Sequence, residues 1–466
     1  MYLEQFFVEG LGHASYLIAS ESAHEAAVID PRRDVQIYRD VAQRIGATLR
    51  YAVETHDHND FISGARMLSE VDGVEVVASA TAGLRYPHRG VHAGDELVLG
   101  ELSIRVLETP GHTPEHVSYV VTDRSRASVP IVAFTGGDLL VGSVGRPDLL
   151  GAALGRSLAP QLYDSLHDQI LMLDDYVEVL PTHGAGSLCG RGISGKRTST
   201  IGYERRFNPA LEQPTKDDFV RFVLSGDPSI PAYYARMRAL NQAGGVAWQV
   251  PAATPLAPDE LRLLLAVPET APVVLDVRSP AAFAEGHVPA AVNVGRAPLL
   301  PTWVGTLLRY DTPLVLVLDD AAQWSEIVTG LARIGHEHLL GYLDGGIAAW
   351  RGAGLPVTHV VQSSVDELAH QLLARPLAVL DVRTDAEWGD GHIPGARHIA
   401  LNELPDRIDE IAVKPAIRVI CGSGYRSSIA TSLLLRAGRE TIVNVVGGMD
   451  AWYAAGHPTT TETPTT

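Results

Sequence analysis

The first two hundred residues alternate short apolar runs with turns, and the runs are rich in β-branched side chains. Positions 26–30, 49–55, 74–78, 102–107, 118–122, 131–134 and 176–180 have the length and composition of strands. Polar residues suited to metal binding recur just past several of them, as expected where strands present a site along one edge of a sheet. Positions 217–224 and 233–242 carry helical patterns. The stretch 249–258, with Pro251, Pro255 and Pro258, predicts a linker.

Beyond the linker the pattern repeats. Val274-Leu275-Asp276-Val277-Arg278 returns as Val379-Leu380-Asp381-Val382-Arg383. Gly286-His287-Val288-Pro289 returns as Gly391-His392-Ile393-Pro394, and Gly345-Gly346-Ile347-Ala348-Ala349-Trp350 as Gly447-Gly448-Met449-Asp450-Ala451-Trp452. The period, roughly a hundred residues, is that of a domain rather than a solenoid unit. Each copy is expected to open with a helix: Pro258 suits a first turn, and Ser364 with Glu367 makes a capping box. Strand–helix alternation follows, which predicts an α/β domain with a mainly parallel sheet. The Thr/Pro-rich end, 460–466, reads as disordered.

The 466 residues, 46% apolar and 20% charged, fit several ordinary globular domains. Expected boundaries are 1–250, 256–357 and 362–460. No apolar run approaches the roughly 18 residues of a membrane span. Residues 1–16 do not read as a signal peptide, so a cytoplasmic location is expected. The net charge of −18, without a basic cluster, argues against nucleic acid. Only two cysteines are present, Cys189 and Cys421, each in a Gly/Ser-rich loop. They do not form a disulfide framework.

Four segments gather metal-suited residues: His56-Asp57-His58-Asn59-Asp60, Gly111-His112-Thr113-Pro114, Gly137-Asp138 and Thr182-His183-Gly184. Imidazole and carboxylate donors suit zinc or iron. In this order the segments resemble the metallo-β-lactamase superfamily, which holds dinuclear hydrolases and mononuclear iron persulfide dioxygenases. Phe61 stands where the dinuclear pattern H-x-H-x-D-H places its last histidine, and this weakens a second metal site. Resemblance to the persulfide dioxygenases implies iron ligands at His56, His112 and Asp138. His58, Asp60 and His183 would then orient ligands and substrate, although His58 as a direct ligand remains open. The Gly142-to-Asp148 loop resembles the same family. Gly186-Ser187-Leu188-Cys189-Gly190 resembles a motif of its rhodanese-fused branch. Cys189, six residues past His183, is a candidate to hold a sulfane sulfur or gate substrate, or else an inert residue of a glycine turn.

A second chemical signal lies near the C-terminus. A predicted strand, 418–420, ends at Cys421-Gly422-Ser423-Gly424-Tyr425-Arg426, and a helix is predicted from 427 to 436. Loop N–H groups, the helix N-terminus and Arg426 favour a thiolate. Such a thiolate can attack a sulfane donor and carry its sulfur as a persulfide. The loop resembles the rhodanese active site, with one residue fewer between Cys and Arg than in cysteine phosphatases. By this resemblance Cys421 and Arg426 are catalytic, and Gly422, Ser423, Gly424 and Tyr425 cradle the sulfur. The first copy departs from the pattern: 316–325 lack the cysteine, the glycines and the arginine, and Asp319 and Asp320 would repel an anionic donor. A spacer or docking platform is expected there.

The expected fold is α/β and multidomain: an N-terminal αββα metallo-β-lactamase sandwich, then two rhodanese domains. The resemblance implies a persulfide dioxygenase–sulfurtransferase. It would oxidise a low-molecular-weight persulfide with O2 to sulfite at one Fe(II) per chain, with sulfur exchange at Cys421. The implied partners are the persulfide of glutathione or another thiol, O2, and thiosulfate or sulfite. Neither nucleic acid nor membrane is among them, and a homo-oligomer is left open. Two alternatives stand. One is a hydroxyacylglutathione-type thioester hydrolase, with zinc, carrying an accessory sulfurtransferase domain. The other is a non-oxidative sulfane-sulfur carrier.

Overall fold

The computed structural model describes residues 1–225, 230–244, 247–412, 416–439 and 441–462. The chain divides into two compact units, Met1–Val250 with Thr329–Gly335, and Pro251–Val328 with His336–Thr466.

The first unit is built on two six-stranded sheets. One runs in chain order: Tyr2–Val8, His13–Ser20, Glu25–Ile29, Thr48–Val53, Glu75–Ser79 and Arg89–Val91. The other runs Ser199–Thr200, Glu178–Pro181, Val132–Gly136, Val117–Asp123, Leu102–Glu108 and Glu96–Leu99. Period-two alternation decides which side chains meet where. Along His13–Ser20, Tyr16 and Ile18 join Val53, Ile104, Tyr119 and Phe134 between the sheets. Leu17 and Ala19 on the opposite face pack with Tyr38 and Val41 of the helix Gln36–Ile45 and Leu68 of Ala65–Asp72. On the outer face of the second sheet, Val120, Ala133 and Val179 pack with Leu162 and Leu166 of the helix Ala152–Asp168. Helix, sheet, sheet and helix form four layers. Each large side chain buried between them contributes roughly 2–3 kcal/mol.

The seven predicted strands and two predicted helices are present within one or two residues. Tyr2–Val8 and His13–Ser20 were not anticipated: buried on both faces, His13–Ser20 shows no polar alternation to read.

The second unit holds two five-stranded sheets, and every strand pair in them is parallel. The first has the order Pro255–Leu256, Leu339–Leu343, Leu314–Val317, Val273–Asp276, Val292–Asn293. The second repeats it with Val361–Ser363, Ile442–Val445, Ile417–Ile420, Ala378–Asp381, Arg397–His398. Each copy therefore opens with an edge strand, not a helix. In the first copy, part of the expected linker is that strand: Pro255 and Leu256 pair with Tyr342 and Leu343. Proline is tolerated at such an edge because its missing N–H leaves no gap in a central ladder. Thr460, expected to be disordered, pairs with His392; residues 463–466 lie outside the described set. No helix among the described residues is long and apolar enough to cross a membrane.

Candidate metal centre and sulfur loop

The two sheets of the first unit bring four loops to one edge. Thr48–Val53 leads into Glu54 to Asp60, Leu102–Glu108 into His112 and His116, Val132–Gly136 into Asp138, and Glu178–Pro181 into His183. His56, His58, Asp60, His112, Asp138 and His183 are all buried. Ring centroids of His56 lie 4.9 Å from His112 and 5.3 Å from His183, and those of His112 and His183 are 5.6 Å apart. Backbone and hydroxyl partners orient two of the rings. His112 Nδ1 donates to Arg146 O at 2.9 Å, and His56 Nδ1 lies 2.8 Å from Thr55 Oγ1. Both Nε2 atoms are thereby left for the interior. The glycine of Gly137-Asp138 has a steric reason: a Cβ there would stand 2.2 Å from His112 Cδ2.

Among the described residues, donor atoms within 4.8 Å of one another form three groups: His56, His58 and His183; His112, His183 and Cys189; and Asp30, Glu54 and His58. Asp138 is in none of them. Its Oδ1 accepts from His112 N at 3.2 Å, and its Oδ2 lies 3.4 Å from His116 Nδ1. The buried Asp138 Oδ2, His112 Nε2 and His58 Nδ1 have no hydrogen-bond partner. Buried polar atoms left this way are costly unless something else satisfies them. Burial, with His183 nearby, holds the His112 imidazole down to about 3, so it is neutral and able to ligate. These orphaned nitrogen and oxygen donors fit a divalent metal such as iron or zinc.

Several residues of the site were missed in the sequence. His58 Nε2 sits 3.0 Å from Glu54 Oε2 and 3.3 Å from Asp30 Oδ1. Burial alone would lower its pKa, but the two carboxylates override burial and raise it to about 10. Asp30 also accepts from Thr55 N at 2.7 Å and from Thr182 Oγ1, which ties two of the site's loops together. Phe61 is stacked between His13 (3.6 Å) and His58 (4.3 Å), so an apolar ring fills the place of a last histidine. Asp60 faces His183 Nδ1 at 3.3 Å. Asp57, pushed up to about 8 by burial despite Arg238 at 3.0 Å, lies beside the cluster. Asp30 and Glu54 read as strand-end residues. The only signal for Glu54 was its place four residues before His58, and the only one for His116 was its place four after His112.

Cys189 is 1% exposed and packs with Leu11, Phe61, Tyr233 and Met237. It is therefore both a packing residue and a neighbour of His112 and His183.

In the second unit, Cys421 follows Ile417–Ile420 and precedes the helix Tyr425–Arg436. Gly424 N donates to Cys421 Sγ at 3.1 Å, and Ser427 Oγ lies 3.5 Å away. Gly424 has φ 104°, a conformation that side chains resist. The Gly447-Gly448 turn holds the loop from behind: Met449 N donates to Cys421 O and Asp450 N to Gly422 O, at 2.7 and 2.9 Å. A Cβ at Gly448 would stand 2.3 Å from Gly422 O. Arg426 makes a two-pronged ion pair with Glu387, at 2.7 and 2.6 Å. Glu387, which also completes a capping box with Thr384, was not anticipated, because no spacing along the chain ties it to Arg426.

The Rhodanese-like domain family matches residues 257–353 and 364–455. The persulfide dioxygenase ETHE1 of Bos taurus is 32% identical over 215 residues, 45% of this chain and 75% of that protein. A probable metallo-hydrolase of Burkholderia pseudomallei is 30% identical over 283 residues, 51% of this chain and 93% of that protein. Among solved structures, a metallo-beta-lactamase from Staphylococcus aureus superposes with a TM-score of 0.66 at 32% identity, covering 73% of this chain and 98% of that one. Through its metallo-β-lactamase fold and its likeness to ETHE1, and with two rhodanese-like domains following, the chain belongs to the persulfide dioxygenase family.

Proposed function

We propose that the chain oxidises a low-molecular-weight persulfide with O2 to sulfite and carries sulfane sulfur on Cys421. The observation that carries this reading is the buried cluster whose His112 Nε2 and Asp138 Oδ2 are orphaned, while Phe61 fills the place of a further ligand. His56, His112 and Asp138 would hold one Fe(II), two imidazoles and one carboxylate as in non-haem iron oxygenases. When bound, the iron supplies the redox chemistry that joins dioxygen to the terminal sulfur.

The chain's own residues supply the rest. Thr55 and Arg146 O orient the rings of His56 and His112. Asp60 orients His183. Cys189, whose sulfur lies within 4.8 Å of donor atoms of His112 and His183, would gate the substrate sulfur or hold it. At the second centre, Gly424 N donates to the Cys421 sulfur, and Arg426, braced by Glu387, places a positive charge beside the loop. Two unpaired, buried cysteines fit a reducing compartment, the cytoplasm.

The deciding experiment is oxygen uptake by protein loaded anaerobically with Fe(II), on adding glutathione persulfide. Rapid uptake with iron, none with zinc, and sulfite as product are expected. His112→Ala is expected to lose iron and to lower uptake about a hundredfold or more. No uptake with the persulfides of glutathione, coenzyme A or inorganic sulfide would overturn the reading. The hydrolase reading needs a metal-bound hydroxide, usually with two metals; two metals per chain with thioester cleavage would favour it.

A further inference from the structure

The helix Trp324–Arg333 lies in the sequence of the first repeat, yet its end belongs to the first compact unit, which takes in Thr329–Gly335. Carbonyls of a last helical turn have no partner within their own helix. Two of them are met here by loops of the metal centre. Ala332 O accepts from Arg33 Nη1 at 2.9 Å, and Arg333 O accepts from Ile62 N at 2.7 Å. The Arg333 guanidinium makes a two-pronged ion pair with Asp34, at 2.7 and 2.8 Å. Ile334 is fully buried, in a cluster with Leu11, Phe61, Ile62 and Met237.

The loops held in this way carry groups of the metal centre. Arg33 and Asp34 follow Asp30 in the chain, and Ile62 follows Phe61. The two loops are bridged to each other at Arg32 and Ser63, and Gly64 N donates to Pro31 O at 2.8 Å. From Asp30 the contacts lead inward. Its Oδ2 accepts from Thr55 Oγ1 at 2.9 Å, and that hydroxyl lies 2.8 Å from His56 Nδ1. Partners of this kind fix the ring of a metal-binding histidine.

The second repeat shows what is special about the helix end. Gly335 and Gly438 follow equivalent helices with φ of 79° and 78°. One residue earlier, the second repeat has Ala437 where the first has Ile334. Ala437 is half-buried and Arg436 beside it is exposed. The rhodanese framework therefore needs no large apolar side chain at this place. In the first repeat that side chain is buried against Phe61 and its neighbours.

We infer that Arg333 and Ile334 are positioning residues for the metal centre. The first repeat gives its helix end to the metal unit, where it holds the loops of Asp30 and Phe61 and, through Asp30 and Thr55, the ring of His56. The inference rests on the reading of His56, His112 and Asp138 as metal ligands.

The test titrates Co(II) into metal-free, full-length protein and follows its visible absorption. Ile334→Ala and Arg333→Gln are compared with Ile334→Val and Arg333→Lys. Arg333→Gln leaves Asp34 paired with Arg32, at 2.9 Å, so the loop keeps one partner. Ile334→Ala and Arg333→Gln are each expected to weaken Co(II) binding about tenfold and to alter its absorption bands. With Fe(II), kcat for oxygen uptake is expected to fall while KM changes little. The conservative variants are expected to restore both, and sulfur loading of Cys421 from thiosulfate to stay as in the wild type. Unchanged Co(II) affinity and absorption overturn the inference and leave the metal reading standing, even where the unfolding midpoint drops, since that marks a merely structural role. Parallel loss of Cys421 loading also overturns it. Wild-type protein that binds no Co(II) overturns the metal reading itself, and the positioning role with it.

Discussion

The two rhodanese copies share a scaffold down to single hydrogen bonds and differ at one loop. In each, an arginine folds back on the aspartate two residues before it and reaches a glycine carbonyl: Arg278 on Asp276 and Gly286 O, Arg383 on Asp381 and Gly391 O. In each, a tryptophan donates to a proline carbonyl six residues on, Trp350 to Pro356 and Trp452 to Pro458. A histidine stacks on an aromatic ring in both, His287 on Phe283 and His392 on Trp388.

Sheet register settles the rest. Asp276 pairs with Val317 as Asp381 pairs with Ile420, so Leu318 occupies the place of Cys421 and Gln323 that of Arg426. Where Gly424 N meets sulfur, the first copy folds its loop on itself: Asp320 accepts from Ala322 N, and Gln323 from Asp319 N. Both copies share the framework, while the proposed sulfur chemistry rests on six loop residues of one, and the first copy is bonded to the second through Gly295 and Asn293.

The strongest way to break this contrast is to exchange the cysteine. Cys421→Ser is expected to abolish sulfur loading from thiosulfate, measured by mass spectrometry. Leu318→Cys in the same chain is expected not to restore it, because Asp319, Asp320 and Gln323 offer neither a glycine cradle nor a cation. Loading of the introduced cysteine would show that the scaffold alone suffices.

Next in size is the joint between the copies. Asn293 is fully buried; it donates to Asp276 O and Arg278 O and accepts from Ser428. Asn293→Ala is expected to cost about 2–3 kcal/mol in denaturant unfolding. An unchanged midpoint would mean that the joint carries no load.

Acid is expected to act on the first copy more gently. Burial lowers His287 from the ordinary histidine value of 6.5 to about 4. Above about pH 6.5 both folded and unfolded forms are neutral there, and stability is full. As the pH falls toward 4 the unfolded chain takes the proton first, so this contribution, up to about 3 kcal/mol, is lost. His287→Phe should flatten the pH dependence of unfolding in that window.

The smallest effect concerns the loop arginine. Burial would raise Glu387, but Arg426 and Thr384 hold it down to about 2. The stability it contributes is present above the ordinary carboxylate pKa near 4.5 and is lost as pH falls toward 2. Because the carboxylate is 37% exposed, its worth is about 1 kcal/mol or less. Glu387→Gln is expected to leave the fold intact and lower the rate of Cys421 loading a few-fold, with partial rescue by Glu387→Asp.

Much of the molecule was legible in the chain. The repeat announced two equivalent domains because the same strand, turn and helix-start residues recur at one spacing. The loop around Cys421 was legible because its glycines, cysteine and arginine are consecutive. The metal segments were legible one by one because each follows an apolar run. Strands buried on both faces, such as His13–Ser20, were not, since burial erases the alternation that marks a half-exposed strand.

Local sequence determined secondary structure, the glycine turns and the identity of the chemical groups, because these depend on neighbours a few residues away. Tertiary structure alone decided which distant groups meet. It set Asp30 and Glu54 against His58, Phe61 between two imidazoles, Glu387 on Arg426, and Arg333 on Asp34. Such meetings follow from how sheets stack and register, and no spacing along the chain encodes them.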